Sequence, residues 1–511
     1  MIGIFKSLRK DLVNKKLLQY GLFSEKLTPV FQSEQFGQWV RKTGINSYKE
    51  RSFSCVKFRL TRNNNAPRIL EIPHPIAYYR LCEEIKTNWI KIINKIGEVD
   101  DYAERSMVIP KPNNLNSRLV SMLAYNKRDD EKFLILDKSL GKKFLVHVDI
   151  ANFYPSIYSH SIPWALVGHN KAKDTATNKR LWYNKLDFAI RSMQRNETVG
   201  IAIGPDTSSL IAELVLSRVD KELKKYKYLR FIDDYKCYCK SQEEADEFVR
   251  KLSKELEKYH LRLNPKKTKI TQLPITLDED WVRQLREYSS RCLRRRKFTD
   301  KDLNLLSEFI DLTIKLSKEN PNDSPVRYAV KVLSNKKYVG EKSFAFIIMY
   351  LSRICFIFPY FIDVFDEILE NNEEYITSDI LSIIETEINS ITKEHIKYSR
   401  SDVALWGLKL SMKYKFRLLE FERYSDQIIN DGDCLPTLMC YKYAKQNKLK
   451  TIPKYIDLVG QLMKDKLEDD WWIYIYEVYK ENYKSTKLKK IAYKDFYEGM
   501  RIADITFLNK A

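Results

Sequence analysis

Three aspartates in two short apolar segments constrain the fold of this chain most strongly. The segment KKFLVHVD is an apolar run ending in Asp149, as is typical of a buried strand. The segment YLRFIDDYKCYC predicts a β-hairpin that carries Asp233 and Asp234 at its tip. A sheet can place a strand end beside a neighbouring hairpin tip. Buried carboxylates brought together in this way repel one another, so the cluster requires cations.

The segments around these aspartates complete a pattern of mixed strands and helices. GPDTSSLIAELVLSRVDKEL (204–223) has apolar residues at helical spacing, with Asp206 or Thr207 as the predicted N-cap. EEADEFVRKLSKELEKYH (243–260) predicts an amphipathic helix, and LRLN (261–264) predicts a strand. The order strand, helix, hairpin, helix, strand indicates a split β-α-β arrangement of the ferredoxin-like class.

The second half of the chain is almost purely helical in pattern from about residue 280. Helices of similar length follow one another with no strict sequence period, which indicates an α-solenoid of irregular, HEAT-like repeats. We therefore predict an α+β protein with two domains. Residues 1–275 form the strand-containing domain, and residues 276–511 form the all-α repeat domain.

Composition narrows the class of partner. The chain has 511 residues and a formal net charge of +21, which indicates a polyanion, either nucleic acid or an anionic membrane surface, unless the lysines are merely solvated. No run of 18 apolar residues predicts a spanning helix, and the first residues lack the apolar core of a signal peptide. We expect a cytoplasmic protein with no membrane partner.

The chemistry expected of three clustered carboxylates is metal binding. Mg²⁺ takes carboxylate and phosphate oxygens octahedrally. Two such ions, roughly 3.5–4 Å apart, can activate a 3′-hydroxyl and stabilise a leaving pyrophosphate. The alternative for Asp233 and Asp234 is ordinary turn chemistry. The aromatic and β-branched residues that flank the pair, and the strand ending in Asp149, favour the metal site.

Five segments in order resemble the motifs of reverse transcriptases. VDIANFYPSIY (148–158) resembles the first catalytic motif, and FIDD (231–234) resembles the aromatic-x-Asp-Asp box. The segment IGPDTSSLIAEL (203–214) is similar to the loop and helix between them, and LRLNPKKTKI (261–270) to the segment downstream. MVIPKPNNLNSRLV (107–120) resembles the fingers motif. The resemblance implies a reverse-transcriptase-like palm and fingers.

A narrower resemblance rests on fewer features. YSHSIPWAL (158–166), the IGP form of the loop and the long helical C-terminal half resemble the abortive-infection (Abi-type, AbiK- and AbiA-like) reverse transcriptases. These proteins act in bacterial phage defence, and some are prophage-encoded. The resemblance implies protein-primed, template-independent synthesis of DNA by a closed homo-oligomer.

The resemblance also implies roles for individual residues. Asp149 and Asp233 are the metal ligands, helped by the carbonyl of Ile150, and Asp234 is a weaker ligand or an electrostatic partner. Two ions are implied, Mg²⁺ or alternatively Mn²⁺. Tyr154 matches the steric gate that favours deoxynucleotides over ribonucleotides, although it could instead be a core residue.

Four further residues match nucleotide-binding or catalytic positions of the family. Lys111 and Arg118 match the residues that bind the triphosphate, and the guanidinium of Arg118 suits bidentate contact with phosphate. Lys267 matches a lysine that protonates the leaving pyrophosphate. Gly204 allows the backbone to approach the nucleotide. The alternatives are solvated charges and a simple turn before a helix.

Two departures weaken the expectation of ordinary template copying. Ile203 stands where the family has a Gln that positions the template-paired nucleotide, and Asn113-Asn114 replaces the usual turn glycine of the fingers motif. We therefore expect an enzyme of the bacterial cytoplasm that uses dNTPs and leaves single-stranded DNA attached to the protein. The priming hydroxyl is not identified; Tyr20 and Tyr48 are only candidates from the N-terminal region. The alternatives are an RNA-templated reverse transcriptase, a catalytically inactive nucleic-acid-binding scaffold and a two-metal nuclease.

Overall fold

The chain folds into two compact units that are not consecutive in sequence. The computed structural model describes residues 8–48, 51–62, 66–98, 105–107, 117–120, 131–321 and 325–509. The first unit contains the described residues within 1–57, 70–275 and 459–510, and the second contains those within 58–69 and 276–458. The predicted helical domain covers the whole of 276–511, whereas the structure groups the described residues from 459 onward with the first unit.

Most strands lie before residue 275. In chain order the described helices and strands up to that point are α1 (Lys10–Tyr20), α2 (Glu34–Thr43), β1 (Cys55–Leu60), β2 (Arg68–Pro73), α3 (Pro75–Thr87), α4 (Trp89–Ile96), α5 (Glu131–Ser139), β3 (Phe144–Asp149), α6 (Phe153–Ser156), α7 (Ser161–Val167), α8 (His169–Asp174), α9 (Trp182–Arg191), α10 (Asp206–Glu222), β4 (Lys227–Phe231), β5 (Asp234–Cys239), α11 (Gln242–Glu257) and β6 (Lys269–Gln272).

A four-stranded antiparallel sheet forms the centre of the first unit, with the strand order β4-β5-β3-β6. Helix α10 connects β3 to β4, and α11 connects β5 to β6. Helix α11 begins after Ser241, whose hydroxyl accepts from the Glu244 N–H, and buries Phe248 and Leu252 on the side that contacts β3 and β5. This order and connectivity correspond to the predicted split β-α-β arrangement.

Two local predictions in this region are wrong. LRLN does not form a strand: Leu263 makes a single bridge to Ile150, and the edge strand β6 comes later. The chain turns here because the Asn264 side chain accepts from the Lys266 N–H and Pro265 opens a 3₁₀ turn. Helix α10 begins at Asp206, with Pro205 as its cap residue instead of Asp206 or Thr207.

The segments after residue 275 are mainly helical, as predicted. They are α12 (Asp280–Arg291), β7 (Lys297–Phe298), α13 (Leu303–Glu319), α14 (Pro325–Ser334), β8 (Lys337–Tyr338), α15 (Glu341–Ile357), α16 (Ile362–Asn371), α17 (Ser378–Ile396), α18 (Ser401–Tyr414), α19 (Phe421–Asn430), α20 (Cys434–Gln446), α21 (Ile452–Lys464), α22 (Trp472–Asn482) and α23 (Lys494–Ile502). In the second unit, helices contact the next helix but one: α13 contacts α15, α14 contacts α16, and α15 contacts α17. No helix of the described ranges is long and apolar enough to cross a bilayer.

Aromatic packing explains why the C-terminal segment belongs to the first unit. The buried Phe507 ring lies 4.9 Å from the ring of Trp472 and 5.6 Å from that of Phe36. The Phe507 carbonyl accepts from the Gln32 N–H at 2.8 Å, and Leu508 bridges Phe31. Rings of this size bury large apolar areas, so residues distant in sequence form one core.

A buried ion-pair network fixes the hairpin that carries Asp233. Arg230, in β4, has no exposed side-chain surface and lies between two carboxylates of α10. Its guanidinium donates to Glu213 at 2.8 and 3.0 Å, to Asp220 at 2.8–3.3 Å and to the Ile232 carbonyl at 2.9 Å. The same side chain therefore holds both the helix and the turn that carries Asp233.

Replacing Arg230 is expected to destabilise the first unit strongly. Arg230→Met removes the cationic partner of two buried carboxylates, which costs about 3–5 kcal/mol. The control is Arg195→Met, because Arg195 pairs with Asp470 at 2.6 Å while its side chain is 58% exposed. Such a surface pair contributes about 0–1 kcal/mol. Urea denaturation measures both. The triple variant Arg230→Met/Glu213→Gln/Asp220→Asn should recover part of the loss, and equal effects of the two single variants would contradict the assignment.

Candidate active site

The sheet brings the three predicted aspartates together. Asp149, the last residue of β3, is the register partner of Asp234, the first residue of β5. Partner Cα atoms in an antiparallel pair lie roughly 4.5–5.5 Å apart. Asp233 lies in the two-residue turn between β4 and β5, where Ile232 has a φ of 56°. The Asp233 carbonyl accepts from the Ile150 N–H at 3.0 Å, which fixes the turn against the end of β3.

Burial raises the pKa of Asp233, and the neighbouring carboxylates raise it further. Burial is the main cause, and the negative charges of Asp149 and Asp234 add to it. The backbone hydrogen bond of Asp233 and the charge of Lys267 act in the opposite direction, and the pKa is raised to about 6. The proton is therefore retained at a pH where an ordinary aspartate has lost it, and a nearby cation would favour its release.

Three polar or cationic side chains contact Asp149 and Asp234. The Lys267 ammonium lies 2.9 Å from one oxygen of Asp149, and the Asn264 amide donates to the other at 3.4 Å. His147 Nε2 lies 2.7 Å from Asp234 Oδ1. His147 was not predicted from the sequence, although its position two residues before Asp149 in a strand places it on the same face.

The donor chemistry of the three aspartates suits a hard cation such as Mg²⁺, which prefers carboxylate oxygens. In the described part of the chain, no three His, Cys, Asp or Glu side chains already surround one point as metal ligands. Lys267 contacts the Asp149 carboxylate, and His147 contacts that of Asp234. An ion bound between Asp149 and Asp233 would therefore replace Lys267 as the neighbour of Asp149.

Tyr154 lies between the segment after Asp149 and helix α10. Its side chain is half-buried, and its hydroxyl is 3.4 Å from the hydroxyl of Ser209 in the first turns of α10. Burial raises the pKa of Tyr154 and keeps the phenol neutral. The contact joins the segment after Asp149 to helix α10, which follows the Gly204 loop.

Gly204 has a φ of +132°, which L-amino acids rarely adopt. A Cβ there would lie 3.1 Å from the Cβ of Ser24, so the loop passes close to that residue. The preceding residue, Ile203, exchanges hydrogen bonds with Glu71: its N–H donates to the Glu71 carboxylate at 3.3 Å, and its carbonyl accepts from the Glu71 N–H at 2.9 Å. The loop is therefore attached to strand β2.

Arg118 is engaged with protein groups. Its guanidinium pairs with Asp206 and donates to the carbonyls of Phe23 and Gly204, the last at 3.4 Å. The Asp206 carboxylate also accepts from the Leu119 N–H at 3.1 Å. The predicted triphosphate contact of Arg118 would require this ion pair to open. Lys111 lies outside the described residues.

The two N-terminal tyrosines have different surroundings. The Tyr20 hydroxyl donates to Glu34 at 2.9 Å, and burial together with that carboxylate raises its pKa to about 12. The Tyr48 ring packs edge-on against the ring of Tyr493 at 5.4 Å. A raised pKa makes Tyr20 a poor nucleophile, and neither contact identifies a priming hydroxyl.

Neutralising Asp233 is expected to stabilise the metal-free protein at high pH. Its pKa rises from 3.8 to about 6 on folding, so the folded state binds more protons than the unfolded state between these values. Stability is therefore lost as the pH rises through this window. Asp233→Asn should raise the unfolding free energy by about 2–3 kcal/mol at pH 8 in EDTA, and the difference should shrink toward pH 4.

The control for this charge removal is Asp174→Asn, an exposed position at the end of α8, which should change stability by less than about 0.5 kcal/mol. Denaturant titrations at several pH values measure both variants. Added Mg²⁺ should stabilise the parent protein and leave Asp233→Asn less affected. A destabilised Asp233→Asn at pH 8 in EDTA would contradict the crowding of these carboxylates.

Comparison with known proteins agrees with this geometry over part of the chain. Residues 75–297 match the family model of reverse transcriptases, described as RNA-dependent DNA polymerases. No curated protein matches the chain.

Among solved structures, the chain is similar to the apo telomerase of Candida tropicalis truncated from its C-terminal domain, at 13% identity and a TM-score of 0.30 over 48% of this chain and 56% of that one. It is also similar to the apo telomerase of Candida tropicalis, at 13% identity and a TM-score of 0.30 over 82% of this chain and 76% of that one. A third similar structure is the telomerase of Candida albicans in complex with a fragment of telomeric RNA, at 12% identity and a TM-score of 0.28 over 93% of this chain and 71% of that one. The chain thus spans little more than half the length of the first of these.

The matched segment contains β3, the hairpin β4–β5 and all three aspartates. Residues 75–297 therefore form a reverse transcriptase domain, and this family consists of nucleotidyl-transferring polymerases.

Proposed function

We propose that this protein polymerises dNTPs into DNA with two Mg²⁺ ions, or Mn²⁺ as an alternative, held by Asp149, Asp233 and Asp234. The observation that supports this is the register of β3 and β5, which sets Asp149 opposite Asp234 with Asp233 in the adjoining turn. Divalent ions are general in reverse transcriptase domains. When bound, they would activate the attacking hydroxyl and stabilise the charge on the phosphates.

The residues of this chain would perform separate tasks in the reaction. The attacking hydroxyl forms a bond to the α-phosphorus of the dNTP while the bond to the pyrophosphate breaks. Lys267 would give a proton to the leaving pyrophosphate, a role supported by its position 2.9 Å from Asp149. Ile150 would help to hold the ion through its carbonyl, and the Tyr154 ring would exclude a ribose 2′-hydroxyl.

The finer proposal is that synthesis is protein-primed and needs no template, as the resemblance to Abi-type reverse transcriptases implies. Ile203 supports it, because an isoleucine side chain cannot donate the hydrogen bonds of the Gln usual at this position. Single-stranded DNA would then stay covalently attached to a hydroxyl of the protein. The biological role would be abortive infection in phage defence, in the bacterial cytoplasm, by a homo-oligomer.

A second function is favoured by one observation. The family model that matches residues 75–297 describes RNA-dependent DNA polymerases. Ordinary copying of an RNA template from an added primer is therefore the main alternative. An inactive nucleic-acid-binding scaffold is less well supported, because all three aspartates are present at the site.

We also infer that the second unit is a solenoid of HEAT-like helix pairs. Contacts recur there at a constant separation: Arg327 lies 3.3 Å from Asp363, and Lys331 lies 2.5 Å from Glu367, 36 residues further along in each case. Between the start of α17 and α15, Thr377 donates to Glu341 at 2.6 Å with the same separation. Equivalent contacts between successive pairs of helices are typical of stacked repeats.

Labelling of the protein itself distinguishes these functions. We expect purified protein incubated with Mg²⁺ and radiolabelled dNTPs alone to carry label through a denaturing gel, and protease digestion to shift it. Asp233→Asn should incorporate at least about 100-fold less label than the parent protein, because a ligand of the ions is removed. The matched control Asp174→Asn should keep it. Product released entirely as free DNA, or incorporation that requires an added RNA template and primer, would contradict protein priming.

A further inference from the structure

A large cavity opens in the first unit directly beside the end of β3. Its volume is about 1520 Å³, and its lining includes Ala151 and Asn152, the second and third residues after Asp149. Pockets for a single drug-sized molecule usually measure about 300–1,000 Å³. The cavity is therefore large enough for more than one nucleotide unit, and its position next to Asp149 connects it with the proposed polymerase site.

Three rings on one wall of the cavity contact one another, and we refer to Tyr158, Trp164 and His260 as the ring cluster. Their centroids lie 5.6 Å apart for Tyr158–Trp164, 5.4 Å for Tyr158–His260 and 5.3 Å for Trp164–His260. Two of these rings are half-buried and His260 is exposed, whereas tryptophans of the core, such as Trp89 and Trp472, are fully buried. Aromatic faces left open at a cavity wall suit the stacking of nucleic-acid bases.

The cavity wall is also positively charged. Six Lys or Arg side chains line it, against three Asp or Glu side chains. Of the six, Lys173, Lys179 and Arg262 are exposed and form no salt bridge within the described ranges. Exposed cations beside aromatic rings are the combination by which proteins hold the phosphates and bases of a single strand.

The backbone connects this wall to the catalytic strand. The Arg262 carbonyl accepts from the Ala151 N–H at 2.8 Å, and the next residue but one, Asn264, donates its backbone N–H to the Asp149 carbonyl at 2.7 Å. A nucleic-acid strand bound by Arg262 and the ring cluster would therefore lie near Asp149, the proposed metal ligand.

A polar pair, His160 and Asp187, also lines the cavity. His160 Nδ1 is 3.1 Å from Asp187 Oδ2, so the other ring nitrogen is left for a ligand, and the His160 ring packs edge-on against Tyr158 at 5.1 Å. The other oxygen of Asp187 is buried and has no hydrogen-bond partner in the structure.

From these observations we propose that the cavity is a binding site for single-stranded DNA, with bases stacked on the ring cluster and phosphates on Arg262 and Lys173. Single-stranded DNA is chosen over RNA because the inference rests on the proposed function, in which the growing DNA strand must leave the site. The size of the cavity and its several exposed cations favour a strand over a single nucleotide.

Binding to the full-length protein in EDTA without dNTPs tests this site separately from catalysis. The probe is a short fluorescein-labelled oligodeoxythymidylate, followed by fluorescence anisotropy. Trp164→Ala should weaken binding by roughly 5- to 100-fold, the loss of one stacked base. Trp182→Ala is the matched control: this half-exposed tryptophan of α9 does not line the cavity, and its loss should leave binding unchanged. Equal binding by the two variants would overturn the proposal.

Salt dependence tests the phosphate contact. Arg262→Gln should reduce the slope of log affinity against log salt concentration by about 0.7, the value for one phosphate of a single strand. Arg250→Gln, at an exposed position of α11 outside the cavity lining, should leave the slope unchanged. An unchanged slope for Arg262→Gln would remove this residue from the site and with it the proposed strand position.

Crosslinking locates the strand without any variant that could misfold. An oligonucleotide containing 5-iododeoxyuridine, irradiated on the parent protein, should crosslink to the peptides that carry Tyr158, Trp164 or His260. Crosslinks found only elsewhere would overturn the proposal. Preferential binding of oligouridylate, or competition by dTTP as strong as that by the oligonucleotide, would also overturn it. If binding depends on Trp164 but the protein incorporates no nucleotide, the proposed polymerase function would be refuted and the proposed binding site would stand.

Discussion

The ion-pair network of Arg230 is the interaction on which the catalytic hairpin depends. Strand β4 is short, and the turn after it contains a residue with positive φ, Ile232, so local preferences alone would leave the position of Asp233 poorly defined. Arg230 resolves this by bonding Glu213, Asp220 and the Ile232 carbonyl at once. A buried guanidinium is tolerated only with such complete pairing. The need to pair the Arg230 charge therefore also fixes the β4–β5 turn against α10.

The fixed turn forces unfavourable electrostatics on the site. Burial and two neighbouring carboxylates raise the pKa of Asp233, and this cost remains because the register of β3 and β5 does not let Asp149 and Asp234 separate. Repulsion of this kind becomes binding energy for a divalent cation, since the same charges attract it. The destabilisation of the metal-free site and its suitability for Mg²⁺ thus have one physical cause.

Local patterns predicted the sheet well because each of its elements has its own sequence signal. β3, the hairpin and helices α10 and α11 follow from apolar runs and helical spacing. The prediction of a strand at LRLN is wrong because the Asn264 side chain caps a turn there. The grouping of Phe507 with the first unit could not be predicted, because it depends on rings hundreds of residues away in sequence. For the site, the three aspartates could be predicted from strand ends, whereas the pairing of Arg118 with Asp206 required the folded chain.

The contrast between the rigid carboxylates and their exposed partners bears on how an ion could enter. The backbone of Asp149 is held by the sheet and by the N–H of Asn264, and its side chain is only 15% exposed, whereas the Lys267 side chain is 62% exposed. His147, the partner of Asp234, is 43% exposed. An ion pair with a solvated lysine contributes little, about 0–1 kcal/mol. Exchanging Lys267 for a divalent ion would therefore cost little and would leave the backbone of Asp149 in place. Lys267 would then be released within reach of the leaving pyrophosphate, where its proton is needed.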